Sequence, residues 1–226
     1  VSNDESLVGI GMTMEAIELD EILFYAFSRT SIRANRINSK EFVDGFIKSR
    51  YGYINDNLKN IYSVLLQDVY KLTSDKTYRG RESILCARPG LNVHTVSYWS
   101  EIKEWYSSEV LYDITQKMLL EYERLKDNEC YILDIIEFAR QLNAEIGHEY
   151  LDKFSTSWHS CDLPGYYEYS KKFIDLFDNI EELMMYNNKT TLNYWLKKAD
   201  LYAQNEEEKK LFRQAMKTER IPSTSA

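Results

Sequence analysis

Glycine, proline and cysteine are scarce in this chain. Its 226 residues hold 8 Gly, 3 Pro, 3 Cys and 3 His. So few helix breakers, with long periodic apolar runs between them, favour helices over a fold of many short strands. The cysteines, Cys86, Cys130 and Cys161, are far apart and odd in number. No Cys-x-x-Cys pair and no Cys/His metal spacing occurs, so free or buried thiols are expected, with one disulfide left open if the parent protein is secreted. His94, His148 and His159 are likewise isolated, and no metal site or cofactor is read from them. No apolar run is long enough to cross a bilayer and no signal peptide is visible, so no membrane partner is read. Basic residues are in deficit: 28 Lys and Arg face 36 Asp and Glu, a net charge of -8. No basic stripe appears, which argues against a nucleic-acid partner.

Apolar residues are plentiful. They make up 44% of the chain, enough for a substantial core, and 18 Tyr with 4 Trp enrich it in aromatics. The start is the most informative stretch. An apolar run, Leu7-Val8-Gly9-Ile10, ends in a glycine-punctuated turn, and Glu15 stands at the mouth of a helix-like segment. A barrel strand delivers a catalytic acid to the C-terminal face of a (β/α)-barrel in this way. An ordinary strand end with a first-turn glutamate near the positive helix end reads the same locally. Because the chain begins with Val1, almost inside this motif, we expect a piece of a larger protein.

Residues 1–36 read as strand, turn and helix, the helix carrying Leu19, Ile22, Leu23 and Phe27. From Ser39 the pattern becomes helical and largely stays so. Ser39 is the expected cap of a helix to Tyr51, closed by Gly52; Asn55 caps a second, with Leu58, Ile61, Tyr62, Leu65, Leu66, Val69 and Tyr70 on one face. Residues 73–100 break the pattern and read as a long loop holding Arg79, Arg81, Glu82, Arg88, Tyr98 and Trp99, a length that is often functional. Further helices are expected at about 101–126, 127–150 (capped by Asp127), 166–186 and 190–218, the last broken near Gln204-Asn205. A connector is expected over 154–165, and Asn205 followed by Glu206-Glu207-Glu208 is a helix start. The tail 220–226 reads as disordered. Asn188-Lys189-Thr190 is the chain's single Asn-x-Ser/Thr sequon, and Asn188 is a glycosylation candidate if the parent enters the secretory route; an unmodified helix cap is the alternative.

Several segments in order carry a resemblance: Gly9-Ile10-Gly11-Met12-Thr13-Met14-Glu15-Ala16-Ile17, Lys48-Ser49-Arg50-Tyr51-Gly52, Arg88-Pro89, Ser97-Tyr98-Trp99, Leu111-Tyr112-Asp113-Ile114, Leu192-Asn193-Tyr194-Trp195-Leu196, then Glu206 to Phe212. Together, over about residues 7–219, they resemble the alpha-N-acetylglucosaminidase family of glycoside hydrolases. The resemblance implies a mainly α chain: the terminal β/α unit of a (β/α)-barrel over 1–36, then an all-helical C-terminal domain over 37–219. It implies Glu15 as the nucleophile of a retaining mechanism on a glycan substrate, terminal alpha-linked N-acetylglucosamine of heparan sulfate type, in a lysosomal or secreted protein. Its acid/base partner would lie in the missing N-terminal part of the same chain. Retaining glycosidases need two carboxyls roughly 5 Å apart, so this piece alone is expected to be inactive. Met14 and Ala16 depart from the Pro and Gly that flank the family's glutamate, Gln116 and Lys117 depart from its Asp and Thr-Arg run, and Arg220 to Ala226 depart from its Leu-Trp-Gly-Pro segment. These departures keep a second reading open, a non-catalytic helical scaffold or interaction module.

Overall fold

A computed structural model describes residues 11–12, 20–32, 38–70, 82–88, 90–96 and 104–220. Among them the architecture is helical, with no strand beyond an isolated bridge at Thr95. The strand expected near 7–11 lies outside the described residues except for its last position. In chain order the helices are α1 (Glu21–Ile32), α2 (Ser39–Tyr51), α3 (Asp56–Val64), α4 (Ser108–Leu119), the single turn α5 (Tyr122–Leu125), α6 (Glu129–His159), α7 (Leu163–Met184), α8 (Leu192–Tyr202) and α9 (Glu206–Arg220). The chain divides into two compact units, Val1–Lys71 with Lys117–Ile132, and Leu72–Gln116 with Leu133–Ala226.

In the first unit α1, α2 and α3 pack in sequence. Asn38, rather than the expected Ser39, caps α2: its backbone is extended and its Oδ1 accepts from the Lys40 and Glu41 N–H groups. Gly52 ends α2 as expected, at φ 68, a left-handed conformation that other residues adopt only under strain. Asn55 caps α3 by accepting from Leu58 N–H at 2.8 Å. The helix then widens into a π-helical turn over Leu65–Val69, so the expected stripe continues with a changed register. Ile47, Leu58, Ile61, Leu65, Met118 and Tyr131 are almost wholly buried here. Each such side chain contributes about 1.5–3 kcal/mol relative to exposure. Glu121 is the buried polar anchor of this unit. Its Oε1 accepts from Asn55 Nδ2 at 2.8 Å and Asn57 Nδ2 at 2.7 Å, tying the start of α3 to the turn before α5.

In the second unit a core of Ile84 and Leu151 is flanked by Leu85, Ala87, Val93, Val96, Phe154 and Phe173. Gly147 on α6 lets this packing close: a Cβ there would meet Leu85 Cδ2 at 3.2 Å and Leu176 Cδ1 at 3.4 Å. Three expected boundaries are corrected. The helix placed at 101–126 is α4 and the short α5, separated by a turn at Leu120 and Glu121. Asn128, not Asp127, offers the cap of α6, accepting from Tyr131 N–H at 3.0 Å. The connector placed at 154–165 is almost all helix: α6 runs to His159 and α7 starts at Leu163. Pro164 and Gly165 fall in the first turn of α7, where a missing N–H is tolerated, and Asp162 caps that turn by accepting from Gly165 N–H. The break near Gln204-Asn205 is where it was expected. Asn205 accepts from Glu208 N–H at 2.9 Å, Glu208 returns a bond from Gln204 N–H, and Arg213 grips Asp200 with two bonds at 2.7 and 2.8 Å to join α9 to α8.

Candidate functional site

Glu15 lies outside the described residues, as do Arg79, Arg81, Pro89, Tyr98 and Trp99 of the loop singled out from sequence. The nearest described neighbours of Glu15 along the chain are Met12 and Asp20. Asp20 stands just before α1, and its Oδ2 accepts from Tyr70 OH at 2.6 Å, so the end of the π-helical turn is fastened to the start of α1. Arg88 is exposed. All three cysteines are free: Cys86 and Cys161 are exposed and Cys130 is half-buried. The Cys86 thiol is raised above its ordinary pKa, first by loss of solvent around its sulfur and next by Glu82, although the residue as a whole stays exposed.

Asn188 opens a 3-10 turn, Asn188–Thr190, and is exposed. It is not the cap of that turn. Asn187 is, with its Oδ1 accepting from Lys189 N–H at 3.1 Å. Thr190 Oγ1 donates back to the end of α7 and its turn, with Met184 O at 2.7 Å and Asn187 O at 2.6 Å. Trp195 of the quoted Leu-Asn-Tyr-Trp-Leu segment is held by its indole N–H, which donates to Lys189 O at 2.6 Å.

The described residues also form a cavity that sequence reading did not anticipate. It lies within the second unit, measures about 200 Å³, and is lined by Glu82, Ser83, Ile84, Glu104 and, from α6, Arg140, Gln141, Ala144, Glu145 and His148. The α6 set repeats at helical spacing along one face. Gln141 Nε2 donates to Glu145 Oε1 at 3.0 Å and to Tyr106 OH at 3.2 Å. Burial pushes the Glu145 carboxyl up to about 7; the Gln141 bond opposes this and Glu149 adds to it. Arg140 is engaged by Glu137 through Nε at 2.9 Å and Nη2 at 2.7 Å. His148 Nδ1 is buried with no hydrogen-bond partner, while its Nε2 stands 3.6 Å from Asp152 Oδ2. Among the described residues no three His, Cys, Asp or Glu side chains converge as a metal-holding group, and no helix is long and apolar enough to cross a membrane.

No curated protein matches the chain. It is similar to a solved family 89 glycoside hydrolase of Clostridium perfringens bearing two Glu-to-Gln substitutions, in complex with its substrate GlcNAc-alpha-1,4-galactose. The identity is 23%, the TM-score 0.89, and the match covers 95% of this chain but 24% of that one. It is also similar to a family 89 glycoside hydrolase from Clostridium perfringens in complex with PUGNAc, at 22% identity and TM-score 0.78 over 82% of this chain and 21% of that one. At such identities the likeness establishes the fold, and the chain spans about a quarter of the length of those enzymes. The family model of the alpha-N-acetylglucosaminidase C-terminal domain matches residues 42–219, and the chain belongs to that family.

Proposed function

We propose that this chain is part of a retaining glycoside hydrolase that releases terminal alpha-linked N-acetylglucosamine, with Glu15 as nucleophile. In this reading residues 1–36 end the catalytic barrel, 37–219 form most of the helical domain and 220–226 a tail. The observation that carries it is the family match over 42–219, joined to the likeness in fold to an enzyme held with GlcNAc-alpha-1,4-galactose. The glycan substrate, heparan sulfate type, and a lysosomal or secreted location follow the same reading.

The chemistry assigns Glu15 a defined charge state. A retaining enzyme places an ionised carboxylate against the anomeric carbon and a protonated carboxyl against the leaving oxygen. Attack forms a glycosyl ester and expels the leaving group, which takes the acid's proton. Water, deprotonated by the same group acting now as base, then cleaves the ester. Glu15 supplies the first role, and the residue in the second is not assigned among these 226.

The test is a Glu15→Gln change in the full-length protein, assayed on an alpha-linked N-acetylglucosaminide. The amide keeps size and hydrogen bonding but cannot form the ester, so turnover falls by at least about a thousandfold while substrate binding persists. Near-normal turnover would overturn the assignment of Glu15. The 226 residues alone are expected to give no hydrolysis. Hydrolysis by them, abolished by the same change, would mean that their own residues supply the acid. A full-length protein that folds and shows no hydrolysis at all would favour the non-catalytic scaffold.

A further inference from the structure

Helix α7 buries one side and leaves the other apolar side in solvent. Leu176 is buried and Phe173 packs against the core of Ile84 and Leu151, which sets the inward side. On the outward side Leu163 is 58% exposed, Tyr167 67%, Ile174 63% and, just past the helix end, Met185 68%. One exposed apolar residue is ordinary, but several along one helical face form a patch, and a patch marks an interaction surface.

The spacing of this stripe is symmetric. Leu163, Tyr167, Ile174, Glu181 and Met185 follow one another at intervals of four, seven, seven and four residues. At 3.6 residues per turn such intervals return to nearly the same face. They also read the same in both directions from Ile174. A two-fold axis at Ile174 therefore lays the stripe of one copy antiparallel on the stripe of another. Ile174 then meets Ile174, Leu163 meets Met185, and the Tyr167 hydroxyl meets the Glu181 carboxylate, which can accept its proton in a hydrogen bond.

Charge selects the same direction. The half of α7 up to Phe173 holds Glu168, Lys171 and Lys172, whereas the half from Ile174 to Met184 holds Asp175, Asp178, Glu181 and Glu182 and no basic residue. Antiparallel pairing sets the acidic half of each copy against the basic half of the other, and parallel pairing would set acid on acid. Lys171 and Asp178 are seven residues apart and flank the stripe on the same side, so the two-fold brings Lys171 of each copy to Asp178 of the other. Lys171 is paired at 2.8 Å with Asp175 on its own helix, an exposed contact of small worth that it can exchange.

We propose that this face of α7 is a self-association surface, on which a second copy of the chain docks antiparallel about a two-fold axis at Ile174. Each copy contributes one helix of 22 residues, about 33 Å long. The contact is small, so a dissociation constant on the order of micromolar is expected.

The experiment is analytical ultracentrifugation of the full-length protein from about 1 to about 100 μM, a range that brackets such a constant. The expected result is a monomer–dimer equilibrium. Ile174→Glu sets two carboxylates against each other at the axis, so it should weaken the dimer at least about tenfold and leave the thermal midpoint unchanged. Lys171→Asp should weaken it about tenfold, because two attractive pairs become repulsive, and adding Asp178→Lys to it should restore the dimer. A protein that stays monomeric throughout, or an assembly indifferent to Ile174→Glu, would overturn the proposal. So would a double charge swap no better than Lys171→Asp alone. A monomer whose thermal midpoint falls on Ile174→Glu would place this face against the rest of its own chain and overturn it too. If the Ile174 variant does not fold, the charge swap decides the matter alone.

Discussion

Replacing Tyr131 by phenylalanine should make the protein weaker at neutral pH and stronger in alkali. Tyr131 is wholly buried, and its hydroxyl donates to Met118 O at 2.6 Å. Loss of that bond should cost about 1 kcal/mol, the usual net value, because Met118 O keeps a second donor, Glu121 N–H at 3.0 Å. The pH dependence has the opposite sign. Burial first, then Glu121 and Tyr122, pushes the Tyr131 phenol up to about 12, against 10 for the free group. Below pH 10 both folded and unfolded chains hold the proton, and the full contribution is present. As pH rises from 10 to 12 the unfolded chain releases it and the folded chain does not, so about 2 kcal/mol of stability is lost at this one residue. Phenylalanine has nothing to release. The two stability curves should cross near pH 11, and by pH 12 the variant should lead by about 1 kcal/mol. Urea unfolding of both proteins at pH 8, 10, 11 and 12, followed by circular dichroism, measures this; the other tyrosines and the lysines cancel in the difference. A gap that stays constant across the series would show that burial does not hold the proton.

Gly45→Ala should lower stability by about 1–3 kcal/mol, since its Cβ would stand 2.5 Å from Tyr25 Oη while that ring is packed against Phe42 and Phe46. Adding Tyr25→Phe removes the clashing oxygen and leaves the ring Cζ at 3.7 Å, so a double variant no more stable than Gly45→Ala in a thermal melt would refute the clash. Asn188 should carry a glycan when the protein is made through a eukaryotic secretory route, because it is exposed and another residue caps its turn. Peptide mass mapping before and after deglycosylation reads this, and secreted protein bare at Asn188 would count against it.

Local rules made much of the helical domain legible. Gly52, Asn55 and Asn205 each end or start a helix where a left-handed turn or a side-chain acceptor is needed, and all three act within a few residues of chain. The misplaced features have physical reasons as local as the successes. Asn38 and Ser39 are both cap formers, and only the backbone decides between neighbours: Asn38 is extended, at φ -71 and ψ 125, while Ser39 is already helical. Pro164-Gly165 reads as a break because both residues end helices in their interiors, yet in a first turn the proline loses nothing. The chain turns just before it, at Cys161, whose φ of 57 is an uncommon conformation for a residue with a side chain. Gly165 then accepts the cap: the Asp162 carboxylate and Ser157 Oγ occupy the space that a Cβ would take. The cavity could not be read at all, because Glu82, Glu104 and Glu145 come from three segments whose approach is a tertiary fact. Glu15 rests on the motif and the family pattern, since it falls outside the described residues.

Glu15 in the proposed function and Glu145 in the cavity of the second unit differ in charge state, and the difference invites an assignment that should be resisted. A retaining glycosidase pairs an ionised nucleophile with a protonated acid, and Glu145, which keeps its proton to about 7, has the protonation expected of the acid. Protonation is necessary for that role but not sufficient. The acid must also stand roughly 5 Å from the nucleophile and within reach of the leaving oxygen. Glu145 has a different explanation for its proton, written in its own surroundings. Burial is the first cause and Glu149 adds to it, against the opposing bond from Gln141. A carboxyl kept neutral by burial holds its proton whether or not it takes part in a reaction, whereas a catalytic acid must give its proton to a leaving group. Burial accounts for the proton on Glu145, so Glu145 is given no catalytic role, and in the proposed reading the catalytic acid is not assigned among these 226 residues.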